Sequence, residues 1–151
     1  MNIRVGNEED KQNWLSLRKE LWPEVESSLH LVEIESMLAK SDKFIVFFAL
    51  TKKDEMVGFL EASIHEDISD GCEIKNIGYI EGWYVKPEHR RKWIGKALVK
   101  AAEYWSLEQG LDEIGSDTGL DIFQSKKAHI ALGFKEVDRA ILYRKKLSKK
   151  T

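Results

Sequence analysis

A chain of 151 residues with 42% hydrophobic residues can bury one core, and its 24 basic and 26 acidic residues leave a net charge of −2. This balance argues against a protein that binds nucleic acid through a general positive charge. The one cysteine, Cys72, excludes an intramolecular disulfide, and no apolar run approaches the roughly 18 residues that cross a bilayer. The start MNIRVGNEED lacks the apolar centre of a signal peptide. We therefore expect a single domain over residues 1–151, located in the cytoplasm, that binds neither nucleic acid nor membranes.

Apolar spacing predicts the elements of the first half of the chain. Asn7 is a typical cap for a first helix that runs to about Leu21, and Ser28 is a typical cap for a second. The apolar runs on either side of the polar turn KKDE favour two strands of a hairpin. The predicted strand, two helices and two hairpin strands cover residues 3–5, 7–21, 28–38, 44–51 and 56–64.

A third strand, IGYIEGWYV at 77–85, carries the polar residue of greatest interest. Because side chains alternate along a strand, Tyr79, Glu81 and Trp83 are predicted to share one face, which holds Glu81 between two aromatic rings. Gly82 in the middle of the strand suggests a β-bulge.

The second half of the chain continues with a helix that ends at Gly110, a strand, a helix that ends at Gly133, and two strands. The predicted ranges are about 94–110, 113–117, 122–132, 134–137 and 140–146. The whole order, β α α β β β α β α β β, indicates a mixed α/β (α+β) fold.

Basic residues gather where the third strand gives way to the helix after it. Pro87 breaks the strand, and Arg90, Arg91 and Lys92 precede a helix whose first turns contain the small residues Gly95 and Ala97. Helix N-termini present unpaired N–H groups and bind phosphate, and small residues let a phosphate approach the backbone. The patterns of a P-loop and of a dinucleotide fold are both missing. The alternative is a solvated basic patch.

The run Arg90 to Gly95 resembles the pantetheine and pyrophosphate motif of the GCN5-related N-acetyltransferases, Arg/Gln-x-x-Gly-x-Gly/Ala, with Trp93 at the usual first glycine. Four further segments resemble the aminoglycoside 6'-N-acetyltransferases of that superfamily. They are LRKELWP at 17–23, GYIEGWYVKPEHRR at 78–91, SDTGLD at 116–121 and AHIALGF at 128–134. The resemblance implies the GNAT fold, a mixed and mostly antiparallel sheet flanked by about four helices, with acetyl-CoA as the co-substrate.

The resemblance also implies which residues bind acetyl-CoA. Backbone N–H groups of Trp83, Tyr84 and Val85 match the contacts to the thioester and pantetheine arm. The residues that match the pyrophosphate turn are Arg90, Arg91, Lys92, Trp93, Ile94, Gly95, Lys96 and Ala97. We expect Trp93 to keep ordinary helical φ and ψ angles and to point its ring away from the phosphates. Ile122 departs from the family, which often has Asn there.

The acceptor site implied by the resemblance is acidic, as a polycationic aminoglycoside requires. Glu81, Asp117 and Asp138 match family carboxylates, and the loop with Glu66, Asp67 and Asp70 adds negative potential. Trp22 matches a tryptophan that packs on a sugar ring. Either Glu81 or Asp117, directly or through one water, takes the proton from the 6'-ammonium, and we favour Glu81, through a water, for this step and Asp117 for binding.

His129 and Tyr143 are rival donors of the proton that the departing CoA thiolate needs. No metal site is expected, because His30, His65, His89 and His129 lack the spacing of metal ligands. A homodimer is expected because family members are often dimers. Three alternatives stay open: an acetyltransferase for a polyamine or another small cationic amine, a CoA-binding module without catalysis, and a nucleic-acid-binding protein.

Overall fold

The computed structural model describes residues 1–67, 75–90, 92–117, 123–136, 143 and 145. The chain consists of two compact units, Met1–Asp117 and Thr118–Thr151, so the single domain stays a prediction. In the first unit, the strands and helices are β1 Asn2–Val5, α1 Lys11–Leu21, α2 Ser27–Ala39, β2 Phe44–Leu50, β3 Met56–Asp67, β4 Lys75–Val85, α3 Ile94–Glu108 and β5 Ile114–Ser116. The second unit contains α4 Phe123–Ala131. None of the described helices is long and apolar enough to cross a membrane.

The five strands form one sheet in the order β1-β2-β3-β4-β5. The first four are antiparallel neighbours, and β5 is parallel to β4. This confirms the predicted mixed, mostly antiparallel α+β architecture. The two predicted C-terminal strands lie mostly outside the described residues, and the residues of them that are described, 134–136, 143 and 145, are not in a strand.

The two predicted helix caps have different outcomes. The side chain of Asn7 accepts the N–H of Glu9, and the carboxylate of Asp10 accepts the N–H of Asn7 in return. This confirms a cap at Asn7, but the cap belongs to a 3-10 turn, Glu8–Asp10, that leads into α1 at Lys11. The prediction for Ser28 is wrong, because α2 already begins at Ser27. The carbonyl of Glu26 accepts the N–H of His30, which starts the helix before Ser28 can cap it.

The sheet is covered on two faces by helices with apolar stripes. On one face, Trp14 and Leu17 of α1 and Ile34 of α2 pack with Phe48 and Phe59 of the sheet, and all five are buried. Each buried side chain of this size contributes roughly 1.5–3 kcal/mol. On the other face, α3 buries its own apolar stripe, Ile94, Leu98, Val99, Ala102 and Trp105.

A β-bulge lies in β4 at the position that Gly82 suggested. Glu61 of β3 pairs with Gly82, but the next residue, Ala62, pairs with Ile80, so Glu81 is the extra residue. An extra residue reverses the alternation of the side chains that follow it. The prediction that Trp83 shares a face with Glu81 is therefore wrong: Tyr79 and Glu81 lie on the face of α1 and α2, whereas Trp83 packs under Gly95 of α3.

Candidate active site

Glu81 lies at the bulge and is held by two side chains of β3. Its Oε1 accepts a hydrogen bond from Ser63 Oγ at 2.6 Å and lies 2.6 Å from His65 Nε2. The ring of His65 stacks on Tyr79, with centroids 4.2 Å apart and planes 9° apart. Two aromatic rings, those of Tyr79 and Trp83, were predicted to hold Glu81. Tyr79 does so indirectly, by stacking on His65, whereas Trp83 lies on the other face of the sheet.

Asp117, directly after β5, joins the same group of side chains. The hydroxyl of Tyr79 donates a hydrogen bond of 2.6 Å to Asp117 Oδ2. Burial and this hydrogen bond raise the pKa of Tyr79 well above its ordinary value, so the phenol stays protonated and remains a donor. The contacts from Glu81 through His65 and Tyr79 to Asp117 join two of the three predicted acceptor-site carboxylates in one group of side chains.

A cavity of about 570 Å³ contains both Glu81 and Trp22 in its wall. Its polar residues include Arg18, Glu33 and Glu61 in addition to Glu81. The rest of the wall is mainly apolar and comes from α2 and its flanks: Val25, Val32, Met37 and Phe44. This combination of carboxylates and an aromatic face is suited to an amine that also carries a ring.

Glu61 is an acidic group that the sequence analysis did not single out. Its carboxylate is 1% exposed, accepts the Trp14 indole N–H at 2.7 Å and lies 3.3 Å from Arg18 Nε. Burial raises its pKa to about 7, although Arg18 and Trp14 act in the opposite direction. The available signal was a single acid within the apolar strand MVGFLEASI, since such a residue needs a partner when it is buried.

Gly82 provides the space that Trp22 occupies. A Cβ atom at Gly82 would lie 2.6 Å from Trp22 Cη2 and 3.4 Å from Glu61 Oε1. We expect Gly82→Ala to lower the free energy of unfolding by about 1–3 kcal/mol in urea titrations, as overpacking does. Trp22→Ala in the same chain removes the clash, so Gly82→Ala is expected to cost less in that background. An equal cost in both backgrounds would contradict this packing.

The turn before α3 differs from what the sequence predicted. Trp93 has φ 66° and ψ 7°, in the left-handed region, so the expectation of ordinary helical angles is wrong. The motif has glycine at this position, and glycine adopts positive φ without strain. The chain keeps the left-handed turn with a Trp in place of that glycine. Its ring is 75% exposed, with Lys96 Nζ 5.2 Å from the ring centroid.

Trp93→Gly is expected to stabilise the protein by about 0.5–1 kcal/mol. A non-glycine residue in the left-handed region costs about 1–2 kcal/mol, and glycine removes this cost. Part of that stabilisation is offset, because glycine gives the unfolded chain more conformational freedom. Urea titration measures the change. Asp54→Gly is the matched control at φ 60°, with a smaller expected gain because Asp tolerates this region better. A Trp93→Gly protein less stable than the parent would refute the prediction.

The start of α3 has the features that a pyrophosphate site requires. The Trp93 carbonyl accepts the N–H of Ala97, the first bond of the helix, so the N–H groups before Ala97 lie in the unpaired first turn. Gly95 has a packing role too, because a Cβ there would lie 3.2 Å from Trp83 Cζ2. Arg90 Nε donates to the Val85 carbonyl at 2.8 Å, which ties the turn to the strand end.

The end of β4 extends beyond its pairing with β5, as the sequence predicted, and its contact with the pantetheine arm stays a prediction. Pairing between β4 and β5 covers only Gly78 to Ile80, so the later residues of β4 lie beyond that ladder. On the other side, β4 stays paired to β3 as far as Val85. Tyr84 and Val85 are therefore at an edge of the sheet next to the turn that leads into α3.

The other predicted site residues belong to the second unit or lie outside the described residues. His129 lies in α4 of the second unit, where its ring meets Phe134 edge-on at 5.3 Å, and Tyr143 belongs to the same unit. Their roles stay predictions. Several predicted positions lie outside the described residues: Asp70, Cys72, Arg91, Ile122 and Asp138. In the described part, no group of three or more His, Cys, Asp or Glu could hold a metal ion.

Comparison with known proteins identifies the class. The model of the acetyltransferase (GNAT) family matches residues 11–134, and the chain belongs to that family. Over 147 residues it is 40% identical to an aminoglycoside N(6')-acetyltransferase type 1 of Klebsiella aerogenes, covering 96% of each chain. It is 36% identical over 146 residues to the Salmonella enteritidis protein of the same description, covering 97% of this chain and 99% of the relative.

Solved structures give the same result for the fold. An aminoglycoside antibiotic 6'-N-acetyltransferase from Acinetobacter haemolyticus superposes with a TM-score of 0.86 at 33% identity, covering 98% of this chain and 100% of the other. The aminoglycoside acetyltransferase AAC(6')-Iy, solved with the bisubstrate analogue CoA-S-monomethyl-acetylneamine, has a TM-score of 0.86 at 36% identity. The coverage in that comparison is 97% and 98%.

Proposed function

We propose that this protein transfers the acetyl group of acetyl-CoA to the 6'-amino group of aminoglycoside antibiotics, and so confers resistance to them. The observation that carries the proposal is the cavity that holds Trp22 and Glu81 together. Both residues match the aminoglycoside branch of the family. The relatives of that description, at 36–40% identity over nearly the whole chain, support the same substrate class.

The acceptor side of the reaction rests on the carboxylates. Glu81 takes a proton from the bound 6'-ammonium, through a water, so that the amine can attack. Ser63 and His65 fix the direction of its lone pairs by their two hydrogen bonds. Asp117, bound to Tyr79, holds an ammonium group of the substrate and balances its charge.

The donor side rests on backbone groups. Acetyl-CoA, when bound, supplies an activated acetyl thioester. The N–H groups at the end of β4, in Trp83 to Val85, polarise the thioester carbonyl and align the pantetheine arm. The turn from Arg90 to Ala97 receives the pyrophosphate at the N-terminus of α3. His129 or Tyr143 gives a proton to the CoA thiolate as the C–S bond breaks.

The decisive experiment is a thiol-release assay with acetyl-CoA and pairs of aminoglycosides that differ only in a 6'-amino or a 6'-hydroxyl group. We expect turnover of the amino member of each pair alone, and one acetyl group on its 6'-nitrogen by mass spectrometry and NMR. Turnover of spermidine, with none of any 6'-amino aminoglycoside, would replace the proposal with the polyamine alternative. Acetyl-CoA binding without turnover of any amine would favour the noncatalytic module.

The proposal also covers the cellular location and the oligomeric state of the protein. We propose a cytoplasmic enzyme, because acetyl-CoA is available there, and a homodimer, for which sedimentation velocity is the test. No nucleic-acid or membrane partner is proposed, because the chain has a net charge of −2.

A further inference from the structure

Arg18 is a buried cation in the wall of a cavity proposed to receive a polycation, and such a charge requires an explanation. The side chain is 3% exposed. Its Nη2 pairs with Glu33, its Nη1 donates to the His30 carbonyl at 3.3 Å, and its Nε lies 3.3 Å from Glu61 Oε2. Glu33 offsets its charge, and Glu61, whose pKa burial raises to about 7, offsets it further when it is ionised, so Arg18 does not repel an incoming ammonium group by itself.

The guanidinium also lies over the ring of Trp22, 5.0 Å from the ring centroid. The indole has further contacts that define its place: His30 stacks near it at 6.3 Å, and Phe59 meets it edge-on at 6.4 Å. The far end of the indole reaches Gly82, the neighbour of Glu81 in the bulge. Trp22 therefore extends from the end of α1 to the proposed base.

We propose that Arg18 is a positioning residue for the acceptor: held by Glu61 and Glu33, it keeps the indole of Trp22 flat beside the bulge. A hexose packed on that indole then lies at a fixed distance from Glu81. The substrate part of this inference rests on the proposed function, but the effect on the indole does not. A planar guanidinium suits this task, because it can lie over a ring while its nitrogen atoms stay close to carboxylates at its edge.

The test is a double-mutant cycle between Trp22 and the ion pair. Arg18→Met combined with Glu61→Gln removes both charges, and Gln keeps an acceptor for the Trp14 N–H, so no buried charge is left unpaired. We expect the KM for a 6'-amino aminoglycoside to rise about tenfold, with kcat and the KM for acetyl-CoA within about twofold of the parent. In a Trp22→Ala background, the same pair of substitutions is expected to change KM less than about twofold.

The chain offers a matched control in Arg4 and Asp10. Arg4 Nη2 lies 2.7 Å from Asp10 Oδ1, and Arg4 Cζ lies 6.0 Å from the centroid of Phe48, so this pair repeats the chemistry away from the cavity. Arg4→Met with Asp10→Asn is expected to leave the acceptor KM unchanged. Two outcomes would overturn the proposal. One is a rise of KM from Arg18→Met/Glu61→Gln that is as large in the Trp22→Ala background as in the parent, and the other is an equal rise of KM in the Arg4→Met/Asp10→Asn control.

A second readout needs no substrate. The indole N–H resonance of Trp22, assigned with Trp22→Phe, reports its mobility through the heteronuclear NOE. We expect this NOE to fall in the Arg18→Met/Glu61→Gln protein and to stay constant for Trp105, which is buried on the inner face of α3. An unchanged Trp22 NOE would overturn the positioning role. If the parent enzyme acetylates no aminoglycoside, the proposed function fails, and the NOE still decides the inference.

Discussion

Glu81→Gln is expected to lower kcat/KM for a 6'-amino acceptor about 10²- to 10³-fold at neutral pH. The amide keeps the size of the carboxylate and can still accept the Ser63 hydroxyl, but it cannot take a proton from the substrate ammonium. Steady-state thiol release at saturating acetyl-CoA measures the loss. The KM for acetyl-CoA is expected to change little, since Trp83 to Val85 follow the bulge and the side chain of Trp83 lies on the other face.

The pH dependence separates a base from a simple binding charge. As pH rises toward the pKa of the substrate amine, free amine becomes abundant and a base is needed less, so the deficit of the Gln variant narrows. Glu55→Gln, in the exposed turn between β2 and β3, is the control with no expected effect. A deficit that stays constant from about pH 6 to about pH 9 would assign Glu81 to binding and return Asp117 as the base.

The second large effect is on stability and comes from Glu61. Its folded pKa of about 7 lies above the ordinary 4.5, so the folded state binds this proton more tightly than the unfolded state does. The stabilisation from Glu61 is complete below about pH 4.5 and is lost as pH rises through about 7. The full change is on the order of 3 kcal/mol. Urea titrations at a series of pH values measure it, with Glu61→Gln expected to remove this part of the pH dependence.

Asp10 provides a control of opposite sign. The hydrogen bond from Arg4 lowers the pKa of Asp10 below its ordinary 3.8, so its stabilisation is present above that pH and is lost as pH falls. Asp10→Asn is thus expected to flatten the acid end of the stability curve and to leave the range from about 4.5 to about 7 unchanged. Identical pH profiles for the parent and the Glu61→Gln protein would show that burial does not perturb this carboxyl.

Periodicity in the sequence predicted the helices and strands well, but it failed to predict side-chain directions that depend on one inserted residue. The strands and the helix at 94–110 agree with β4, α3 and β5 to within a few residues, because long apolar patterns determine them. The face of Trp83 was wrong because the bulge inserts Glu81, and only the register with Glu61 on the neighbouring strand reveals which residue is extra. Local sequence contains no information on that register.

The sequence likewise predicted some residues of the candidate site and missed others. Trp22 and Glu81 were identified through family motifs, and they share a cavity. The role of His65 was missed, because its contact with Glu81 joins two strands and is not visible along the chain. The prediction for Trp93 was wrong because its backbone has a positive φ, which glycine at this motif position could adopt without strain.

The bulge in β4 has a consequence for how this enzyme can diversify. Up to the bulge, Tyr79 and Glu81 lie on the face of α1 and α2, and after it, Trp83 faces α3. One continuous strand thus presents the carboxylate of the proposed acceptor site from one segment and a side chain beside the proposed CoA turn from the next. Under the proposed function, substitutions around Tyr79 are expected to alter which antibiotic is accepted without touching the CoA side, so selection can act on the two specificities separately. A deletion of one residue at the bulge is expected to abolish that independence, because it would turn Trp83 toward the face of α1 and α2, where the acceptor site is proposed.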